Sequence, residues 1–296
     1  MLLATQRSEA QASAAGIAPE STGHVATGLV APVNGFNFIL DQTGQHNSAT
    51  GWADIVTPDL SFRFDRHFSV SALVPWYPTV NAFVPKTVNG VKTYPLATGK
   101  DLLGDTVGVG TYELPHNRLT YLATASVGFP TGNSRFGLSA NTETYNINNH
   151  LDYSIGPFDP DIEVGEGNSS SLVNRAVKKP YVAVGPLANF QAGSSIDLPF
   201  SFNLDVEAYE ELPIGNQSVY GTVTRKNNKG KTVTQQVLEG AGTAEDNGIV
   251  SELDFPIGLH FMLTGTYERS LRQDVDTASV GITWVARKPK ITRAIE

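Results

Sequence analysis

The stretch "IDLPFSFNLDVEAYEEL", residues 196–212, alternates apolar and polar side chains over most of its length. Apolar residues stand at the even positions from Ile196 to Ala208, and carboxylates such as Asp205 and Glu207 stand between them. A period of two is the period of a β-strand with one apolar and one polar face. The run is 17 residues long, whereas an ordinary strand has about 5–6. It therefore predicts one strand of unusual length.

Similar alternation, in places weaker, recurs along the chain. No segment combines the apolar spacing of a helix with convincing capping residues. The twelve alternating segments are residues 35–40, 52–64, 68–78, 104–114, 119–130, 181–191, 196–212, 218–224, 232–238, 249–258, 260–271 and 277–286. The sequence therefore predicts an all-β protein of about twelve strands.

The connections between these segments are of two kinds. Short turns are predicted at 65–67, 115–118, 192–195 and around Leu259, and long polar loops at 79–103, 131–180 and 213–247. Short turns at one end and long loops at the other are typical of outer-membrane barrels. A tilted strand needs about 9–11 residues to cross a bilayer, and backbone groups there must be paired within the protein. We therefore predict a closed antiparallel transmembrane β-barrel of about 12 strands, with short periplasmic turns and long extracellular loops.

The composition and motifs exclude several classes of protein. The formal net charge is −8, which disfavours a nucleic-acid binder. There is no cysteine, so disulfides, thiolate catalysis and cysteine-ligated zinc are excluded. The six histidines lack metal-ligand spacing, and no GxSxG elbow or phosphate loop is present. We expect no enzymatic activity and no cofactor.

The chain divides into three parts around the predicted barrel, which spans residues 34–286. Residues 1–33 are an N-terminal extension, either the remnant of a signal peptide or a periplasmic segment, and residues 287–296 are a C-terminal tail. A soluble secreted β-sandwich that binds a partner is the alternative, because it also alternates. Prolines such as Pro58 and Pro75 count against a perfectly regular barrel. A structural barrel with a closed lumen is a third interpretation.

The polar face of the strands is predicted to line the barrel interior. An acidic lining favours cations and neutral polar solutes over anions. A twelve-stranded barrel is intermediate between filled eight-stranded barrels and wide porins, so a narrow or partly plugged pore is expected. The predicted lumen-lining residues are Asp59, Arg63, Asp197, Asn203, Asp205, Glu207, Tyr209, Glu252, Asp254 and Glu268.

Residues 158–170, "FDPDIEVGEGNSS", contain the best candidate for a metal site. Asp159, Asp161 and Glu163 alternate like the start of a calcium loop. Val164 stands where an EF-hand needs glycine, and no helices flank the segment. We therefore predict a structured extracellular loop, with loose calcium binding as the minority interpretation.

The order of several motifs resembles a bacterial family. The motifs are "DLSFRF", "LLGDTVGVGTYEL", "ATASVGFPTGNS", "PDIEVGEGNSS" and "LTGTYERS". Over about residues 34–286 the chain resembles the outer-membrane β-barrel transporter family of the meta-pathway of phenol degradation. The resemblance implies a channel of the Gram-negative outer membrane that admits small, often hydrophobic or aromatic compounds. Its expected partners are outer-membrane lipid, a small-molecule solute and, during insertion, the barrel-assembly machinery.

Overall fold

The computed structural model describes residues 11–12, 35–173, 182–220, 223–226, 232–235, 245–258, 260–272 and 274–286. Twelve antiparallel strands form one closed sheet, in which each strand pairs with its sequence neighbours and the first pairs with the last. The predicted barrel and its strand number are confirmed. The strands are β1 (Gly35–Asn47), β2 (Gly51–Arg63), β3 (Phe68–Leu73 and Trp76–Phe83), β4 (Leu96–Leu103 and Thr106–His116), β5 (Leu119–Phe129), β6 (Thr144–Tyr153), β7 (Phe158–Ser169), β8 (Val182–Asp197), β9 (Asn203–Pro213), β10 (Asp246–Ile257), β11 (Phe261–Ser270) and β12 (Val275–Val285).

Short elements accompany the barrel. Ser218–Tyr220 pairs with β8, and a hairpin of Lys86–Val88 and Val91–Thr93 lies between β3 and β4. Gln11–Ala12, Val223–Lys226 and Thr232–Gln235 form a separate small sheet. The helical turns are Ser134–Phe136, Ser170–Val173 and Pro199–Ser201. Among the described residues, no helix is long and apolar enough to span a membrane.

Side chains alternate between the two sides of the barrel wall. In β9, Asp205, Glu207 and Tyr209 are buried on the inner side, while Val206 and Ala208 face outward. Each of the twelve strands carries at least one exposed large apolar side chain on the outer side. One example from each strand, in chain order, is Phe36, Leu60, Val70, Tyr112, Val127, Ile147, Ile162, Phe190, Val206, Ile249, Leu263 and Ile282. An apolar exterior around the whole wall is what contact with a bilayer requires.

The two ends of the barrel differ in the length of their links. One end, the short-turn end, carries the links 64–67, 117–118, 154–157, 198–202 and 258–260. The opposite end, the long-loop end, carries the links 48–50, 84–95, 130–143, 170–181, 214–245 and 271–274. The turns predicted around 65–67 and 115–118 therefore have counterparts in the structure. The turn predicted around Leu259 falls between the strands that end at Ile257 and begin at Phe261, and Leu259 itself lies outside the described residues. The turn predicted at 192–195 is wrong, because these residues lie inside β8.

The alternating run 196–212 is not one strand, which corrects the prediction. β8 ends at Asp197 and β9 begins at Asn203. Between them the N–H of Leu198 donates to the carbonyl of Phe202 at 2.8 Å, and Phe200 has a φ of 66°. Ile196 and Leu204 are register partners across this hairpin. Even-numbered residues therefore face outward in both strands, and the alternation conceals the turn.

Two barrel strands differ from those predicted. β6 and β7 lie within residues 131–180, which were predicted to be one long loop. Conversely, the segments 218–224 and 232–238 do not contribute barrel strands in their described parts, 218–220, 223–224 and 232–235. The predicted total of twelve strands is right because β6 and β7, which the prediction omits, replace the segments 218–224 and 232–238, which it assigns to the barrel.

The link 130–143 folds back onto the inner side of β2 and β3 at the long-loop end. Leu138 is fully buried against Ile55, Tyr77 and Val80. The Asp105 carboxylate accepts hydrogen bonds from the N–H groups of Gly132 at 2.8 Å and Ala140 at 2.7 Å. This loop is therefore a packed part of the structure with its own small core.

Candidate functional site: the inner wall of the barrel

Most carboxylates of the inner wall lie on the strands β7, β9, β10 and β11. These four strands and β8, which lies between β7 and β9, form a continuous stretch of wall that we call the acidic arc. Register partners place Asp161 opposite Gly193, and Gly193 opposite Glu207. Because Gly193 has no side chain, Asp161 and Glu207 can approach each other across β8. One oxygen each from Asp161, Asp205 and Glu207 lie within 4.8 Å of one another. The register of three strands therefore concentrates negative charge at one place on the wall.

All ten residues predicted to line the lumen occupy inward positions of the alternation. Their contact with solvent or solute in a lumen stays a prediction. Asp205, Glu207, Tyr209, Asp254 and Glu268 are buried, while Asp59, Arg63, Asn203 and Glu252 are partly buried. Asp197 is exposed at the short-turn end, where it accepts a hydrogen bond from Asn203 Nδ2 at 3.3 Å.

Hydroxyl groups on neighbouring strands hold several of these carboxylates. Thr264 Oγ1 donates to Asp254 Oδ1 at 2.6 Å, and Thr266 Oγ1 donates to Glu252 Oε2 at 3.2 Å. Hydrogen bonds to an ionised acceptor are stronger than those between neutral groups. The inward threonines of β11 therefore fix the acidic side chains of β10 against the wall.

Arg63 is the one lysine or arginine at an inward position in the described parts of the twelve strands. Its Nη2 lies 2.7 Å from Glu113 Oε2, and its guanidinium also donates to the carbonyls of Asp65 and Arg66. The sequence analysis places Arg63 among the acidic residues of the predicted lumen lining. These contacts instead bind it to Glu113 and to the link 64–67 at the short-turn end.

Further inward charged residues escaped the sequence reasoning. His150 lies on β6, where its Nε2 contacts Asp152 Oδ1 and its Nδ1 lies 3.7 Å from Glu163 Oε2. His150 and Asp152 were missed because the sequence analysis predicts a loop over residues 131–180, although Tyr145, Ile147 and Leu151 alternate visibly. The other missed inward carboxylates are Asp41, Glu113, Glu211 and Asp246.

The candidate calcium segment is part of the barrel wall, so its prediction as an extracellular loop is wrong. Asp159, Asp161 and Glu163 occupy successive inward positions of β7. Successive inward side chains of a strand are about 6.8 Å apart, which differs from the convergent ligands of a calcium loop. Asp161 approaches Asp205 and Glu207 rather than forming a group with its neighbours on β7. Calcium binding by these residues stays a prediction.

Another part of the inner wall is apolar. It consists of Leu73 of β3 with Val107 and Val109 of β4, and we call it the apolar patch. Leu172, from the helical turn Ser170–Val173, packs against these three buried side chains. Asn146 Nδ2 donates to the carbonyl of Leu172 at 2.8 Å, which ties the turn to the inner side of β6. The interior therefore offers an acidic arc and an apolar patch.

No protein family model matches the sequence, and no curated protein matches it. Among solved structures, an outer membrane channel from Pseudomonas putida F1 aligns with a TM-score of 0.57 and 10% identity, over 91% of this chain and 100% of that chain. The NanC porin aligns with a TM-score of 0.49 and 9% identity, over 83% and 98%. A KdgM porin in complex with disordered oligogalacturonate reaches 0.48 and 8%, also over 83% and 98%.

These likenesses concern the fold. The chain has the closed-barrel fold of the outer membrane channel from Pseudomonas putida F1, which it covers in full. Membership of the family named from the sequence motifs stays a prediction.

Proposed function

We propose that the protein is an outer-membrane channel for the passive passage of small solutes. The observation that carries this proposal is the closed twelve-strand sheet with an apolar outer side in every strand and a polar inner wall. A closed barrel pairs its backbone groups internally, as a membrane-spanning sheet must. In the usual orientation of such barrels, the short-turn end faces the periplasm and the long-loop end faces outward.

The charge of the inner wall favours cations and neutral polar solutes over anions. The acidic arc includes the group formed by Asp161, Asp205 and Glu207, and the inward Arg63 is engaged by Glu113 at the short-turn end. Charged rings in a narrow, low-dielectric passage select ions of the opposite sign. Small hydrophobic or aromatic compounds, which the sequence resemblance implies, are the second class of solute that we propose.

The test is conductance in planar bilayers, with the reversal potential measured under a KCl gradient. We expect stepwise conductance with a reversal potential on the cation-selective side. The double variant Asp205→Asn, Glu207→Gln removes two inward charges and should reduce this selectivity. Glu210→Gln is the matched control, because Glu210 lies on the same strand with its side chain on the outer side. Anion selectivity of the unaltered protein, or equal effects of both variants, would contradict the role of the acidic arc.

A structural barrel with a closed lumen is the second candidate. Several inward side chains are fully buried, among them Asn146, Glu211 and Asp246, as in a filled barrel interior. A correctly folded protein that inserts into bilayers without conducting would favour this alternative over the channel.

A further inference from the structure

Two inward side chains of β9 extend in opposite directions across the neighbouring strands. A Cβ atom at position 193 of β8 would lie 2.7 Å from Glu207 Cγ, so the Glu207 side chain crosses Gly193 toward Asp161. A Cβ atom at position 248 of β10 would lie 2.6 Å from Tyr209 Oη, so the Tyr209 side chain crosses Gly248 toward β11. The two side chains therefore end on opposite sides of β9, each in the room that a glycine leaves.

The first of these ends belongs to a group of three carboxylates, which we call the β7–β9 group. It consists of Asp161, Asp205 and Glu207, all of them buried, with one oxygen from each residue within 4.8 Å of the others. Carboxylates this close repel one another when they are ionised, and a nearby positive charge favours the ionised form. The β7–β9 group therefore attracts a cation.

The second end belongs to what we call the Tyr209 group, the Tyr209 hydroxyl with Ser270, Asp246 and Glu268. Ser270 is the register partner of Gly248, and its Oγ donates to Asp246 Oδ1 at 2.6 Å. The negative charges that act most strongly on the Tyr209 hydroxyl are those of Asp246 and Glu268. Tyr209 is only 4% exposed, and among the described residues its hydroxyl oxygen has no hydrogen-bond partner. Because buried hydroxyls normally have a partner, this oxygen beside carboxylates is placed to accept from a cationic donor.

An apolar surface separates the two groups. Tyr209 and Val250 pack together as a buried pair, and Val250 lies between Glu207 and Glu268 in the register of β9, β10 and β11. The two glycines that the side chains cross are two strands and one inward step apart. With about 4.8 Å between strands and about 6.8 Å per inward step, this separation is about 12 Å. The inner wall therefore presents negative charge, an apolar surface and negative charge again along one line.

We propose that this part of the acidic arc binds a linear aliphatic diamine in its doubly protonated form, with one ammonium in the β7–β9 group and the other in the Tyr209 group. The inference rests on the proposed channel function and names the class of cation that the channel takes up. The methylene chain lies on Tyr209 and Val250, while the second ammonium donates to the Tyr209 hydroxyl oxygen and to the neighbouring carboxylates. A metal ion does not explain both ends, because in the described part of the chain the β7–β9 group is the one place where three acidic or histidine side chains bring their ligand atoms within 4.8 Å.

The test is isothermal titration calorimetry of the folded protein in an uncharged detergent, with two diamines of equal charge. Diaminooctane, with an amine at each end, is long enough to reach both groups, whereas the shorter putrescine reaches one at a time. A ligand that has bound at one group meets the second at a high effective concentration only if its linker spans the distance. We therefore expect diaminooctane to bind about tenfold more tightly than putrescine, or more.

The variant Tyr209→Phe removes the hydroxyl and keeps the ring. It should weaken diaminooctane binding about tenfold, because hydrogen bonds from charged donors are stronger than those between neutral groups. Its mobility difference between unboiled and boiled samples on SDS gels shows whether the barrel is folded. The matched control is Tyr112→Phe, which removes an exposed hydroxyl from the outer side of β4 and should leave both affinities unchanged. The double variant Asp205→Asn, Glu207→Gln should abolish the preference for diaminooctane over putrescine.

Bilayer conductance of the unaltered protein separates failure of this inference from failure of the channel function. Conductance together with length-dependent binding that Tyr209→Phe weakens supports the inference. Conductance with no diamine binding, or with equal affinity for both diamines, overturns the inference and leaves the channel function standing. A preference for diaminooctane that persists in the double variant also overturns it, because the apolar chain alone then explains the preference. If the protein binds diaminooctane as expected and does not conduct, the binding site is supported and uptake through the channel is wrong.

Discussion

The substitution Val206→Arg should destabilise the barrel more than Asp205→Arg or Glu210→Arg. Val206 faces outward on β9, four residues from Phe202, which stacks on Phe255 with ring centroids 4.5 Å apart. It is also four residues from Glu210, whose carboxylate accepts a hydrogen bond from Asn247. Between the aromatic pair and the polar pair, the outward residues of this strand are Leu204, Val206 and Ala208.

The depth of Val206 in the bilayer sets the expected cost of the arginine substitution. Four residues rise about 14 Å along a strand, and a tilt of about 40° reduces this to about 10 Å of height, close to half of a bilayer-facing band about 25 Å tall. Val206 therefore lies near the bilayer midplane. An arginine on the lipid face costs about 2–4 kcal/mol there and about 0–1 kcal/mol near an interface. We expect the larger figure for Val206→Arg and the smaller for Glu210→Arg.

The assay is reversible urea unfolding in phospholipid vesicles, followed by tryptophan fluorescence and by the mobility difference between unboiled and boiled samples on SDS gels. Asp205→Arg is the control for the face, because Asp205 is the inward neighbour of Val206 and should retain the gel shift. If Val206→Arg cost no more than Glu210→Arg, or if Asp205→Arg cost as much, the assignment of faces on β9 would be wrong.

Two further predictions concern the ends of the barrel. In the link 64–67, N–H groups of His67 and Phe68 donate to Asp65 and lower the pKa of its carboxyl below the ordinary 3.8. The contribution of the Asp65 carboxylate to stability is therefore complete above its ordinary pKa of 3.8 and is lost as the pH falls through the lowered pKa. In thermal unfolding at acid pH, the melting temperature of Asp65→Asn should depend less on pH than that of the unaltered protein. At the other end, Leu138→Ala leaves a cavity at a fully buried site. We expect it to lower the free energy of unfolding by about 2–5 kcal/mol. Limited proteolysis should then cleave the link 130–143 faster than in the exposed-site control Arg135→Ala, and equal cleavage would contradict the packing described.

The sequence determined the fold class and the faces of the strands because both are local properties. Each alternating position records whether a side chain meets lipid or the interior, so Asp205, Glu207 and Val206 could be assigned from their neighbours alone. The same locality explains the errors. The five-residue turn 198–202 keeps even-numbered residues outward on both sides, so a period of two cannot reveal it. In β6, polar asparagines at inward positions resembled a loop.

The tertiary structure decided which side chains meet. Asp161, Asp205 and Glu207 converge only because hydrogen-bond register aligns three strands and Gly193 leaves room between two of them. The apolar patch likewise joins Leu73 and Val109 to Leu172, which is nearly a hundred residues away from Leu73 in the chain. Alternation fixes the face of each residue, whereas neighbours across strands depend on register and turn position. For that reason the acidic face was visible in the sequence, and its cluster and the apolar patch were not.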